Sequence, residues 1–209
     1  MSDIPRKLHL DVIRDFLFFL NSRSNQFVLK GGTSLLLFYS LDRFSEDIDL
    51  DGFGNGFVNI VNEFADSRPY IVSKRIPKDT DTVKRAFIHY KGGTKPLKIE
   101  VSYRKKILRK ESYKKINNVL VYSINDIFRM KINAYNSRDK VRDLYDLCFI
   151  YKYYNKLLSE SEKDQLRDAF GYKGLEQFDY LIHNQKDALI DKDKLANNFL
   201  EVYYSLDLQ

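Results

Sequence analysis

Asp47 and Asp49 stand two residues apart in Asp47-Ile48-Asp49-Leu50, a stretch that alternates polar and apolar residues as a strand does. That period of two sends both carboxylates to the same face. Two like charges ~4 Å apart repel by about 4 kcal/mol at an effective dielectric near 20, so the pair calls for a compensating cation, and hard oxygen ligands select Mg2+ or Mn2+ over zinc. The bland alternative is a solvated strand end with incidental acids, which would also account for Glu46 and Asp51. Glu100, set between Ile99 and Val101 in an alternating run from Leu97 to Tyr103, is costly there unless it lines a site or forms a salt bridge with Lys98 or a neighbouring strand. Three carboxylates, with phosphate oxygens completing the ligand set, are what a two-metal phosphoryl-transfer centre uses.

Gly31-Gly32-Thr33 follows the apolar run Phe27-Val28-Leu29 and precedes a short helical pattern. Glycines there permit close backbone approach, and the amides at a helix start favour a phosphate. Arg43 and Ser45 follow shortly, just before the Asp pair. The same tripeptide at Gly92-Gly93-Thr94 lies between two strand-like runs and reads as a plain hairpin. Further on, Lys131 can bring a point charge to a phosphate, and Asp143 and Asp146, three apart on a helix, share one face. The alternative for these acids is an ion-pair network with Arg138 and Arg142 that locks two helices together.

These residues need elements to hold them. Apolar spacing predicts a helix over 5–22, a strand at 27–29, a short helix capped by Thr33 and running to Leu41, a strand over 47–50 and a helix over 57–64. Strands are expected at 70–75, 83–91, 97–103 and 119–122. Helices are then expected from a Ser123 cap to 137 and over 138–154, 161–170, 175–188 and 192–206. The expected organisation is α/β over residues 1–122 and helical over 123–209.

Composition narrows the class. The 209 residues are 44% hydrophobic and 14% aromatic, with nine Gly and four Pro, which excludes a disordered or low-complexity chain. No apolar run approaches a membrane span, and the first residues lack a signal-peptide pattern, so a soluble, cytoplasmic protein is expected. The single Cys148, between Leu147 and Phe149, reads as core. His9, His89 and His183 have no ligand spacing. Residues 123–209 hold 13 basic and 15 acidic side chains, leaving 22 and 14, a net of +8, in residues 1–122. Seven of those positive charges are Arg104, Lys105, Lys106, Arg109, Lys110, Lys114 and Lys115, opposed locally by Glu111. A polyanion such as RNA or a nucleoside triphosphate is the natural partner for such a run.

In this order, Leu29-Lys30-Gly31-Gly32-Thr33-Ser34-Leu35 and Arg43-Phe44-Ser45-Glu46-Asp47-Ile48-Asp49-Leu50 resemble the first motif of the DNA polymerase β-like nucleotidyltransferases, in the form seen in the AbiEii/AbiGii toxin family. Lys131 followed by Arg138-Asp139-Lys140-Val141-Arg142-Asp143-Leu144-Tyr145-Asp146-Leu147 is similar to that family's second signature, so the resemblance spans roughly residues 26 to 150. It implies a polymerase β-like core with a small mixed sheet followed by a C-terminal helical bundle. It also implies metal binding by Asp47, Asp49 and Glu100, where Glu replaces a more frequent Asp. Nucleotide binding would fall to Gly31, Gly32, Thr33, Arg43, Ser45, Lys131, Arg138 and Arg142, and the catalytic set would add Lys131, Asp143 and Asp146 to the three metal ligands. The implied activity is transfer of a nucleoside monophosphate from an NTP to an acceptor hydroxyl with Mg2+ or Mn2+, by the toxin of a toxin-antitoxin or phage-defence pair. RNA, with the tRNA 3′ end as one candidate, is the expected acceptor, and a cognate antitoxin the expected protein partner. Two other classes compete: a metal-dependent nuclease using Asp49 and Glu100, whose usual core would need Lys where Ser102 stands, and a nucleotide- or RNA-binding module without turnover.

Overall fold

The computed structural model describes residues 3–105 and 109–208. The chain forms two compact units. The first takes the chain up to Phe38 together with Ser45–Tyr122, and the second takes Tyr39–Phe44 together with the chain from Ser123 onward.

In the first unit the elements run α1 (Asp3–Arg23), β1 (Phe27–Lys30), α2 (Gly31–Phe38), β2 (Ile48–Gly52), α3 (Phe57–Asp66), β3 (Ile71–Asp79), β4 (Val83–Tyr90), β5 (Leu97–Ser102), β6 (Tyr113–Ile116) and β7 (Val119–Tyr122). The seven strands form one mixed sheet in the order β3-β4-β5-β2-β1-β7-β6. β2 runs antiparallel to β1 and parallel to β5, and β1 runs parallel to β7.

Register divides the sheet into two chemically distinct faces. Phe27, Leu29, Ile48, Leu50, Ile99 and Val101 alternate onto one face, and all are essentially inaccessible to solvent. The helices close on that side through aromatics: Phe57 of α3 lies 6.1 Å from Phe27, and Phe16 of α1 meets Phe64 of α3 edge-on at 5.1 Å. The intervening positions, Lys30, Asp49, Asp51, Lys98 and Glu100, fall on the opposite face. A central strand of a two-sided apolar sheet would read as a continuous hydrophobic run. Here β2 reads Ile-Asp-Leu-Asp, because its second face is given over to charge.

Several elements differ from the sequence expectations for local reasons. α2 begins at Gly31, with Thr33 inside it, so the Thr33 hydroxyl is not a cap. β6 lies in what reads in sequence only as part of a basic run, and it is joined to β7 by Asn117-Asn118, both with positive φ (47° and 66°), the two-residue turn that suits a tight hairpin. Gly92, at φ 77°, turns β4 back into β5 as the hairpin expected there.

The second unit contains α4 (Ile124–Ser137), α5 (Val141–Tyr154), α6 (Glu160–Asn184) and α7 (Lys192–Ser205). The Ser123 side chain accepts from the Asp126 amide as the cap of α4, and Ser159 with Glu162 forms a full capping box on α6. The two helices expected at 161–170 and 175–188 are one element interrupted at Gly174, whose φ of 63° and ψ of −174° are not helical. Its core is aromatic: Phe178 and Phe199 stack 4.2 Å apart, and Phe170 packs against both Phe199 and Tyr135. Cys148 is buried, as expected, and burial pushes its thiol pKa well above the ordinary range. Among the described residues no helix is long and apolar enough to cross a membrane.

Candidate active site

The polar face of the first unit is organised in cross-strand rows. Asp49 of β2 pairs in register with Lys30 of β1 on one side and with Glu100 of β5 on the other, and Glu100 pairs with Arg85 of β4. One strand spacing separates each neighbour in such a row, roughly 4.8 Å. Asp47 precedes β2 on the same face. The structure therefore places the three acids expected to act as metal ligands on one sheet face, with Asp49 and Glu100 as direct cross-strand neighbours.

Each outer acid is matched to a cation. Lys98 Nζ donates to Asp47 Oδ2 at 3.0 Å, and Arg85 Nε donates to Glu100 Oε2 at 2.7 Å. Glu100 thus makes the neighbouring-strand salt bridge that its position in β5 allowed. Asp49, between them, forms no ion pair among the described residues, and its pKa is raised. Burial is the largest cause; the like charges of Asp47 and Glu100 add to it, while Lys98 and Lys30 oppose it.

Among the described residues no three His, Cys, Asp or Glu side chains converge as a closed metal-ligand set, since Asp47 and Glu100 are drawn to Lys98 and Arg85. The donor chemistry still fits a hard divalent ion: the ligands on offer are all carboxylate oxygens, and the central one is held where negative charge is disfavoured without a cation.

Gly31 explains why the turn before Asp49 is glycine. Its φ is 76°, and a Cβ added there would lie 3.3 Å from Asp49 Oδ2. Thr33, buried to 1% exposure, does not present its hydroxyl to solvent. That hydroxyl lies 2.9 Å from Ser45 Oγ and bonds to the Asp47 backbone carbonyl. Thr33 and Ser45 are therefore brought together, and both act on the backbone that enters β2. His9 supports the same segment, its Nε2 donating to the Glu46 carbonyl at 2.7 Å while its other ring nitrogen meets the Tyr90 hydroxyl. It is a core histidine, consistent with its lack of ligand spacing.

Asp51, one strand period beyond Asp49, is 1% exposed. It accepts from Lys30 Nζ and from the Tyr122 hydroxyl at 2.7 Å, and Lys105 Nζ stands 3.1 Å away, over the Tyr122 ring. Burial alone would raise its pKa, but Lys30, Tyr122 and Lys105 together hold it below the usual carboxylate range. In sequence Asp51 stands out only as a possible incidental acid, Lys98 is offered to Glu100 whereas it pairs with Asp47, and Lys30 and Arg85 are not singled out. For Asp51 and Lys98 the signal is present, since in β2 and β5 charged residues alternate with wholly apolar ones; β1 and β4 carry no such alternation around Lys30 and Arg85.

The second unit holds its own charge cluster. Arg43 grips Asp146 with two hydrogen bonds of 2.7 Å, from Nε to Oδ1 and from a terminal nitrogen to Oδ2. Lys131 Nζ lies 2.6 Å from Asp146 Oδ2 and 2.9 Å from Asp143 Oδ1, and Arg138 donates to both oxygens of Asp143 at 2.7 and 3.2 Å. Burial opposes the Lys131 ammonium, yet Asp146 and Asp143 keep its pKa above the ordinary lysine value, while Lys131 and Arg138 hold Asp143 below its own. Arg142 pairs with Asp187. Arg43 belongs here and not with Ser45, because Tyr39–Phe44 is tied to the helices through Tyr154 to the Tyr39 carbonyl and Tyr145 to Asp42, both at 2.8 Å.

Among its described residues the basic run is divided. Lys105 is engaged with Asp51, Lys114 and Lys115 alternate onto opposite faces of β6, and Lys106 lies outside the described residues.

A mixed sheet entered by a Gly-Gly-Thr turn, with an Asp-x-Asp strand set beside a third acid, defines a nucleotidyltransferase fold. Residues 16–205 match the family described as nucleotidyl transferase AbiEii toxin, type IV TA system, and the chain belongs to this family. Membership makes it a nucleotidyltransferase toxin, with an NTP as substrate and a cognate antitoxin implied by the type of system. The crystal structure of JHP933 from Helicobacter pylori is similar at 28% identity and a TM-score of 0.81, covering 99% of this chain and 95% of that one. A second H. pylori crystal structure, of a protein provisionally assigned as a nucleotidyltransferase, is similar at 27% identity and a TM-score of 0.80, covering 99% and 98%. No curated protein sequence matches the chain.

Proposed function

We propose that this chain transfers a nucleoside monophosphate from an NTP to a hydroxyl of an RNA acceptor in the cytoplasm, in a reaction that depends on Mg2+ or Mn2+, and that this modification is its toxic act in a toxin-antitoxin or phage-defence pair. The observation that carries the reading is the row in which Asp49 stands beside Glu100, with Asp47 on the same face. These three would hold the divalent ion. When bound, the ion would favour ionisation of the attacking hydroxyl and offset the charge of the triphosphate.

The chain's own residues supply the rest. Gly31 lets backbone pass against the Asp49 carboxylate, and Thr33 with Ser45 fixes the Asp47 backbone. Lys98 and Arg85 supply positive charge opposite Asp47 and Glu100. Gly32 belongs to the same turn and is assigned to the triphosphate. In the helical unit, Arg43, Lys131 and Arg138 outnumber Asp143 and Asp146 by one positive charge. We assign Lys131, Asp143 and Asp146 to an essential buried network, with Arg138, its exposed outer member, and Arg142 as phosphate contacts.

Incubating the protein with labelled NTPs, Mg2+ and total RNA tests the reading. Label joined to RNA is the expected product. RNA cut without incorporation would point to the nuclease class, and RNA bound but unchanged to a module without turnover.

A further inference from the structure

The charged row through Asp49 does not stop at Arg85. Arg85 pairs in register with Lys78 of β3, so Lys30, Asp49, Glu100, Arg85 and Lys78 form one line across five strands, with both acids at its centre. The next row runs from Lys98 through Phe87 of β4 to Arg75 of β3. The pairing register puts both rows on the same face, an irregularity between Arg75 and Lys78 of β3 taking up the extra residue. The outer end of that face is basic and aromatic. Arg75 and Lys78 are exposed, and no carboxylate pairs with either among the described residues, although most cations of this sheet face have such a partner. The Arg75 guanidinium lies over the Phe87 ring, 5.2 Å from its centroid.

We propose that this outer face of the β3–β4 hairpin, formed by Arg75, Lys78 and Phe87 and joined to the acids through Arg85, is where a single-stranded RNA end is held as it reaches the Asp49 centre. The proposal rests on RNA being the acceptor and adds the surface that receives it. Unpaired cations on a solvated sheet are ready phosphate contacts, and a guanidinium plane backed by an aromatic ring is a platform on which an unpaired base stacks. Continuity is the second argument. The cations begin one strand away from Glu100, so a strand laid on them leads directly to the carboxylates. Among the described residues of the run at Arg104–Lys115, Lys105 is engaged by Asp51, Lys114 and Lys115 alternate onto opposite faces of β6, and no register pairing joins them to Glu100.

The test is binding of an unstructured oligouridylate to the full chain across a salt series, without NTP. R75Q/K78Q removes two charges that pair with no carboxylate among the described residues, and with them only the exposed Arg75–Phe87 contact, so it should melt close to wild type. Its slope of log affinity against log salt should be shallower by about 0.7 to 1.4, one or two single-strand phosphate contacts. NTP binding should be unchanged, and R75K/K78R, which keeps both charges, should match the wild-type slope. An unchanged slope in R75Q/K78Q, or the same loss in K110Q/K114Q at the other end of the sheet, overturns the surface while leaving the acceptor reading intact. Failure of the wild-type chain to bind or modify any RNA overturns both.

Discussion

Asp49 lies directly across from Glu100 on a parallel neighbouring strand, and the residue preceding its partner strand's turn, Lys30, lies directly across on the other side. The centre is thus an acid pair enclosed by cations on one sheet face, and its charge balance depends on which cation is present.

Asp49→Asn should leave the chain at least as stable as wild type near neutral pH. The folded state raises the pKa of Asp49, so ionising it costs stability as pH rises through that folded value, and below the ordinary carboxylate range the cost vanishes. Thermal melts of both proteins across pH 3 to 8 should show the gap closing on the acid side. A variant that melts well below wild type at neutral pH would contradict the assignment.

Asp51→Asn should have the opposite sign. The Asp51 pKa is depressed in the folded state, so the carboxylate contributes stability above the unfolded value that is lost as pH falls through the folded one. Loss of the charge-assisted bonds from Lys30 and Tyr122 should cost about 1 to 3 kcal/mol at pH 7, read by urea unfolding.

Gly31→Ala should impair both fold and transfer. The new Cβ would have to tolerate φ 76° and would crowd Asp49 Oδ2 at 3.3 Å. A penalty of roughly 1 to 2 kcal/mol is expected for the backbone alone. Activity should fall further than the melting temperature explains, because the displaced group is the central carboxylate.

Asp146→Asn removes the negative charge and one of the two acceptor oxygens that Arg43 and Lys131, both largely buried, share. Breaking a buried pair by removing one partner costs about 3 to 5 kcal/mol. A double-mutant cycle with Arg43→Met should return strong coupling, whereas additive effects would mean the two residues do not depend on each other.

Much of this was legible in the sequence because the strongest local rules and the fold agree. The Asp47-Ile48-Asp49-Leu50 alternation places two acids on one face, the Ser123 cap opens α4, and Gly92-Gly93 turns a hairpin. What was hidden depends on pairing between distant strands. Nothing local to Arg85 or Lys98 says that β4 and β5 will set them beside Glu100 and Asp47, and nothing local to Thr33 says that its hydroxyl donates to the carbonyl of Asp47, 14 positions further along the chain. β6 escaped notice because its four residues are half lysine, with the Asn117-Asn118 turn as its one clear marker. Arg43 and Ser45 are close in sequence, yet their side chains serve different units.

The most direct measurement is transfer of label from an α-phosphate-labelled NTP to RNA by wild type and by Asp49→Asn, each titrated with Mg2+. The account predicts Mg2+-dependent incorporation by the wild-type chain and a loss of at least a hundredfold in the variant, with folding preserved, since removal of one pre-organised electrostatic group at a reacting centre typically costs about 10²–10³ in rate. Incorporation by Asp49→Asn at a rate close to wild type would contradict it.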